Sequence, residues 1–103
     1  MTNLEPISVK MPEGLEELVP GYLRNRKDEV PMLLQLLAAS DFDRIRILAH
    51  NMKGTGSAYG FERLTEIGAG MESSAREANI PTLSEQLDSL AEYLERVELE
   101  PAG

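Results

Sequence analysis

Apolar residues recur along most of this chain at three- and four-residue spacings, the period of helices that bury one face. Leu15, Leu18, Val19, Tyr22 and Leu23 mark the first such stretch, over residues 13–27, where Pro20 is expected to kink or restart the helix. Val30, Leu33, Leu34, Leu36 and Leu37 mark a second over residues 28–39, with Asp28 as candidate N-cap and Pro31 in the first turn. The pattern is equally that of two helices or of one bent helix. Ser40-Asp41 offers an N-cap for the next helix, which should reach about Tyr59 despite Gly54 and Gly56. Gly60 suits the left-handed position at a helix end. A helix from Phe61 then carries Leu64, Ile67, Met71, Ala75 and Ala78 inward, with Gly68 and Gly70 permitting close packing. Asn79-Ile80-Pro81 ends that helix, and Thr82 or Ser84 caps the last one, whose Leu83, Leu87, Leu90, Leu94 and Val97 form a bundle seam. Short connections imply antiparallel neighbours, so the expected fold is all-α, an antiparallel up-down four-helix bundle over residues 13–99. An N-terminal extension or extra helix precedes it: residues 1–12 read as an arm, and residues 100–103 as a disordered tail. No strand pattern, repeat or low-complexity tract is visible.

Composition narrows the function classes. A length of 103 residues allows one domain with a modest core. A net charge of −8 argues against nucleic acid as a partner, because phosphates need a basic footprint. Arg46, Lys53 and Arg76 could still form a local basic island. With no cysteine, disulfides, thiolate catalysis and cysteine metal sites are excluded, which is compatible with a reducing, cytoplasmic location. The longest apolar stretches, such as residues 30–39, fall far short of the roughly 20 residues that span a bilayer, so no membrane association is expected. The N-terminus has neither the basic nor the apolar region of a secretory signal. A di-metal carboxylate bundle fails, since there is one histidine and no Glu-x-x-His pair, Ile47 occupying the needed position. Neither a phosphate-cradling glycine loop nor a Walker lysine is present, and no metal or other cofactor is expected.

The chemistry concentrates in the run His50-Asn51-Met52-Lys53-Gly54-Thr55-Gly56-Ser57-Ala58-Tyr59-Gly60. On a helix, Ile45, Leu48, Met52, Thr55 and Tyr59 cluster on the side opposite His50, while Arg46, Lys53, Gly54 and Ser57 surround it. The single histidine therefore points away from the core, beside a cation and a glycine that leaves room for something large to approach. That is the layout of a nucleophile working on a partner macromolecule. If the chain reverses near Gly60 and Phe61, His50 lies ten residues before the reversal and Glu72 about eleven after it, level with each other on adjacent helices. A carboxylate there can accept from Nδ1–H, steady the ring and leave Nε2 as the nucleophile. By the same arithmetic Arg76 lies level with Arg46.

His-x-x-Lys-Gly followed by a further glycine, here His50, Lys53, Gly54 and Gly60, resembles the signature of histidine-containing phosphotransfer (HPt) domains. The resemblance runs over about residues 15–97, with its specific part in residues 41–76. Glu72 is similar in offset to a glutamate in the phosphotransfer domain of bacterial chemotaxis kinases, where many other HPt domains carry glutamine. The resemblance implies a helical bundle whose histidine relays a phosphoryl group between receiver-domain aspartates of response regulators, or from a histidine kinase or hybrid kinase to a receiver. It implies a phosphocarrier, not an independent enzyme, with the metal and much of the catalytic apparatus supplied by the partner. His50 would then be phosphorylated, with Lys53 stabilising the phosphoryl group and Glu72 orienting the ring. Gly54 and Ser57 would lie where the partner approaches, and Arg46 and Arg76 are candidates for partner contact. The competing reading is a bundle that binds receivers or helices without being phosphorylated.

Overall fold

A computed structural model describes residues 5–102. Its elements in chain order are β1 (Ile7–Lys10), α1 (Val19–Ala38), α2 (Phe42–Thr55), a 3-10 turn (Ser57–Tyr59), α3 (Glu62–Arg76), α4 (Ile80–Arg96) and β2 (Val97–Glu100). The first two apolar stretches form one helix. Pro20 sits in its first turn, where no amide donor is needed, so it starts the helix and does not kink it. Pro31 lies inside α1, and Asp28 is an interior residue, not a cap. Pro31 and Lys27, whose carbonyl loses its donor, are both exposed, so water can replace the missing bond. Leu18 and Leu34 of the apolar stripes are exposed too.

Asp41 caps α2 by accepting from the Arg44 amide at 3.3 Å. The helix stops at Thr55 and does not continue to Tyr59. Gly56 packs against the start of α3, where a Cβ would stand 2.8 Å from the Thr65 amide nitrogen and 2.9 Å from the Phe61 carbonyl. The Ser57 amide donates to the Thr65 hydroxyl at 2.8 Å, which draws the chain off the α-helical path. Gly60 then takes φ 94°, the left-handed conformation a glycine reaches without strain. Beyond α3, Ala78 is also left-handed and exposed, so it does not face inward as its spacing suggests. Asn79, not Thr82 or Ser84, caps α4, accepting from the Thr82 amide at 3.2 Å.

Neighbouring helices run antiparallel. Between α2 and α3, Gly56 just past the end of α2 meets Thr65, and Ala49 meets Gly68. On α1 and α2, the Tyr22 hydroxyl lies 2.8 Å from that of Thr55, whereas Leu36 shares a groove with Arg44. The helix α4 packs on both α3 and α1, closing the up-down bundle. Leu33, Ile45, Met52, Phe61, Leu64 and Met71 fill its core, and every residue of the Leu83–Val97 seam is buried. Arg26 is buried as well, its guanidinium 4.5 Å above the Tyr22 ring and hydrogen-bonded to Glu29 at 3.1 Å.

The two strands correct the expectation of an arm and tail without strand structure. They pair in parallel, Ile7 with Val97 and Val9 with Leu99, and the Met11 amide donates to the Glu100 carbonyl at 2.9 Å. Ile7, Val9, Val97 and Leu99 turn toward the bundle while Ser8, Lys10, Glu98 and Glu100 face out, the period-two alternation of a half-buried sheet. Glu100, assigned to the tail by sequence, is thus part of β2. Residues 1–4 of the arm and 103 of the tail lie outside the described residues.

Candidate functional site

The hairpin of α2 and α3 carries the chemistry. His50 sits on the outer face of α2 with 68% of its side chain exposed, while Ile45, Ala49 and Met52 turn into the core. Glu72, from the facing turn of α3, has only 6% of its side chain exposed. Its Oε2 lies 2.7 Å from Nδ1 of His50, and its Oε1 accepts from Nζ of Lys53 at 3.0 Å. The guanidinium of Arg76, one turn further on, comes within 3.7 Å of Oε2. A nearly buried carboxylate therefore has three basic side chains around it. Its hydrogen bonds to Lys53 and to His50, with the charges of both groups, outweigh burial and hold its pKa below the ordinary glutamate range.

An ionised carboxylate can only accept. The proton in the 2.7 Å contact therefore belongs to Nδ1, and whenever the ring is neutral its lone pair lies on Nε2. Lys53 is about half exposed, and its ammonium can rotate away from Glu72. Gly54 is exposed, and a Cβ built on it would have no atom within 4 Å. Helix packing therefore gives no reason for glycine at this position, in contrast to Gly56.

The structure brings His50, Lys53, Glu72 and Arg76 together and leaves Gly54 on open surface beside them. Arg46, one turn before His50, is half-buried. Ser57 falls in the 3-10 turn after α2 has ended, so the helical arithmetic that put it on the face of His50 does not apply there. Sequence reasoning missed the Lys53–Glu72 hydrogen bond. It also missed the proximity of Arg76 to Glu72, for which the i, i+4 spacing was an available signal. Among the described residues, no cluster of three or more histidine, cysteine or acidic side chains is placed to hold a metal ion. Nor, among the described residues, is any helix long and apolar enough to cross a membrane.

The family model of the Hpt domain matches residues 17–100. No curated protein and no solved structure matches the chain. Hpt domains are phosphocarrier modules of two-component phosphorelays, where they meet receiver domains and kinases. With all four helices inside the matched span and most of the sequence covered, the chain belongs to the Hpt domain family.

Proposed function

We propose that His50 accepts a phosphoryl group on Nε2 and passes it to, or takes it from, the aspartate of a response-regulator receiver domain, with a histidine kinase or hybrid kinase upstream. The observation that carries this reading is the 2.7 Å contact between Nδ1 of a largely exposed imidazole and a nearly buried carboxylate. Glu72 accepts the hydrogen bond from Nδ1–H, so the Nε2 lone pair attacks phosphorus in line. The Nε2–P bond forms as the P–O bond of the aspartyl phosphate breaks, and the aspartate leaves as a carboxylate. Lys53 swings from Glu72 to the phosphoryl oxygens and offsets the charge that phosphohistidine adds.

Gly54 leaves the surface flat where a receiver's active-site loops descend. Arg76 and Arg46 complete a basic surface that attracts an acidic receiver rim, even though the whole chain carries a net charge of −8. The metal ion and most of the catalytic groups come from the partner, and this chain acts as a carrier. A cysteine-free chain that meets receivers and kinases fits a cytoplasmic relay.

The experiment is phosphorylation of wild type and His50→Gln by histidine kinases and phosphorylated receiver domains of the source organism. Wild type should acquire acid-labile, base-stable label. His50→Gln should acquire none while keeping its helicity, because an exposed side chain contributes little packing. Label retained on His50→Gln would end the phosphocarrier reading, and binding without label on wild type would favour a docking bundle.

A further inference from the structure

The hydrogen bond between His50 and Glu72 joins two helices, so its length depends on how closely their backbones approach. Gly68 lies one turn before Glu72 on the same face of α3. A Cβ built on Gly68 would stand 2.6 Å from the Lys53 amide nitrogen, 2.8 Å from the Ala49 carbonyl oxygen and 3.1 Å from the Lys53 Cα. All three are backbone atoms of α2, and none can swing aside. The Ala49 carbonyl belongs to the peptide bond that leads into His50, and in the helix it receives the Lys53 amide. The bare Cα of Gly68 thus rests on the one turn of α2 that presents both His50 and Lys53.

The geometry points to Gly68 as the positioning residue that sets the spacing of α2 and α3 at which Glu72 reaches His50 and Lys53 together. This inference rests on the proposed roles of His50 and Glu72. Any side chain at position 68 must widen a 2.6 Å approach to ordinary contact, which begins at about 3.4 Å. The same displacement, passed one turn along α3, takes the 2.7 Å contact of His50 with Glu72 beyond hydrogen-bond range. Gly70, on the same helix, is different. A Cβ there would meet only the end of the Gln86 side chain, at 2.9 Å, which can move away.

The test compares wild type, Gly68→Ala and Gly70→Ala, all as the full chain. Nitrogen-15 NMR of the single histidine reports which ring nitrogen carries the proton. Phosphoramidate, a small donor that needs no protein partner, reports which nitrogen reacts. The N–P bond to histidine forms as the P–N bond of phosphoramidate breaks, and ammonia leaves from the donor's own ammonium form. Phosphorus-31 NMR separates the two phosphohistidine isomers.

Wild type and Gly70→Ala should show the Nδ1–H tautomer and a single Nε2-phosphohistidine. Gly68→Ala should show both tautomers in comparable amounts and a new Nδ1-phosphohistidine product. A Gly68→Ala protein identical to wild type in both readouts overturns the proposal. So does a Gly70→Ala protein altered to the same degree, because the effect would then be general loosening. If Gly68→Ala unfolds, the measurements are repeated in sucrose, which favours the compact state; failure to fold even there makes the glycine a folding requirement and also overturns the proposal. If wild type itself has no preferred tautomer, the role given to Glu72 fails first and the inference about Gly68 falls with it.

Discussion

Glu72 sits where the side chains of His50, Lys53 and Arg76 converge. Its carboxylate would be costly to bury alone, and Lys53 at 3.0 Å with His50 at 2.7 Å makes its ionised form the favoured one. Folding favours that ionised form, so the stabilisation is fully present above the ordinary glutamate pKa. It is lost as pH falls through the depressed folded value. Since the hydrogen bond from Lys53 contributes most, Lys53→Ala should move the Glu72 titration up toward the ordinary range, as read by carbon-13 NMR of its carboxyl group. A titration unchanged in that variant would mean that Lys53 does not engage Glu72 in solution. The facing of His50 and Glu72 was legible in the sequence because counting residues from a turn needs only the helical rise. The grip of Lys53 on Glu72 was not. Spacing places a lysine on a face but does not say which anion its flexible side chain will find.

At the scale of elements, Gly54 and Asn79 separate function from stability. Gly54 sits where a side chain would meet nothing, so Gly54→Leu should hold or raise helix stability by up to about 1 kcal/mol. The same change should slow transfer from a phosphorylated receiver. Unchanged transfer kinetics would show that no partner surface comes near that position. Asn79→Ala removes the cap of α4 and should lower stability by about 1 kcal/mol in urea unfolding, leaving transfer per folded molecule unaltered. A loss of transfer in that variant would tie α4 to the site.

The Leu83–Val97 seam was readable because its 3-4 spacing is local. Other boundaries depended on less local physics. Pro31 reads as a helix start, yet water at an exposed position lets α1 run through it. Gly56 reads as a helical interior, but its close approach to Thr65 and Phe61 ends α2. The strands β1 and β2 have four residues each and come from opposite ends of the chain, so no turn signal links them.

The molecule as a whole is an acidic bundle that gathers His50, Lys53 and Arg76 around one nearly buried carboxylate. Its parallel strand pair ties the two chain ends together, and Gly60, at the turn between α2 and α3, lies against Lys10 and Pro12 of the N-terminal segment. The hairpin that carries His50 is thus held by the other helices and by the described part of the N-terminal segment. The whole of the proposed chemistry falls on one nitrogen of one ring. The most direct measurement is to mix the protein with a phosphorylated receiver domain, quench in base and locate the transferred phosphoryl group by phosphorus-31 NMR and mass spectrometry. The expected result is a single product, phosphorylated on Nε2 of His50. A phosphoryl group on Nδ1, or on any other residue, would contradict it.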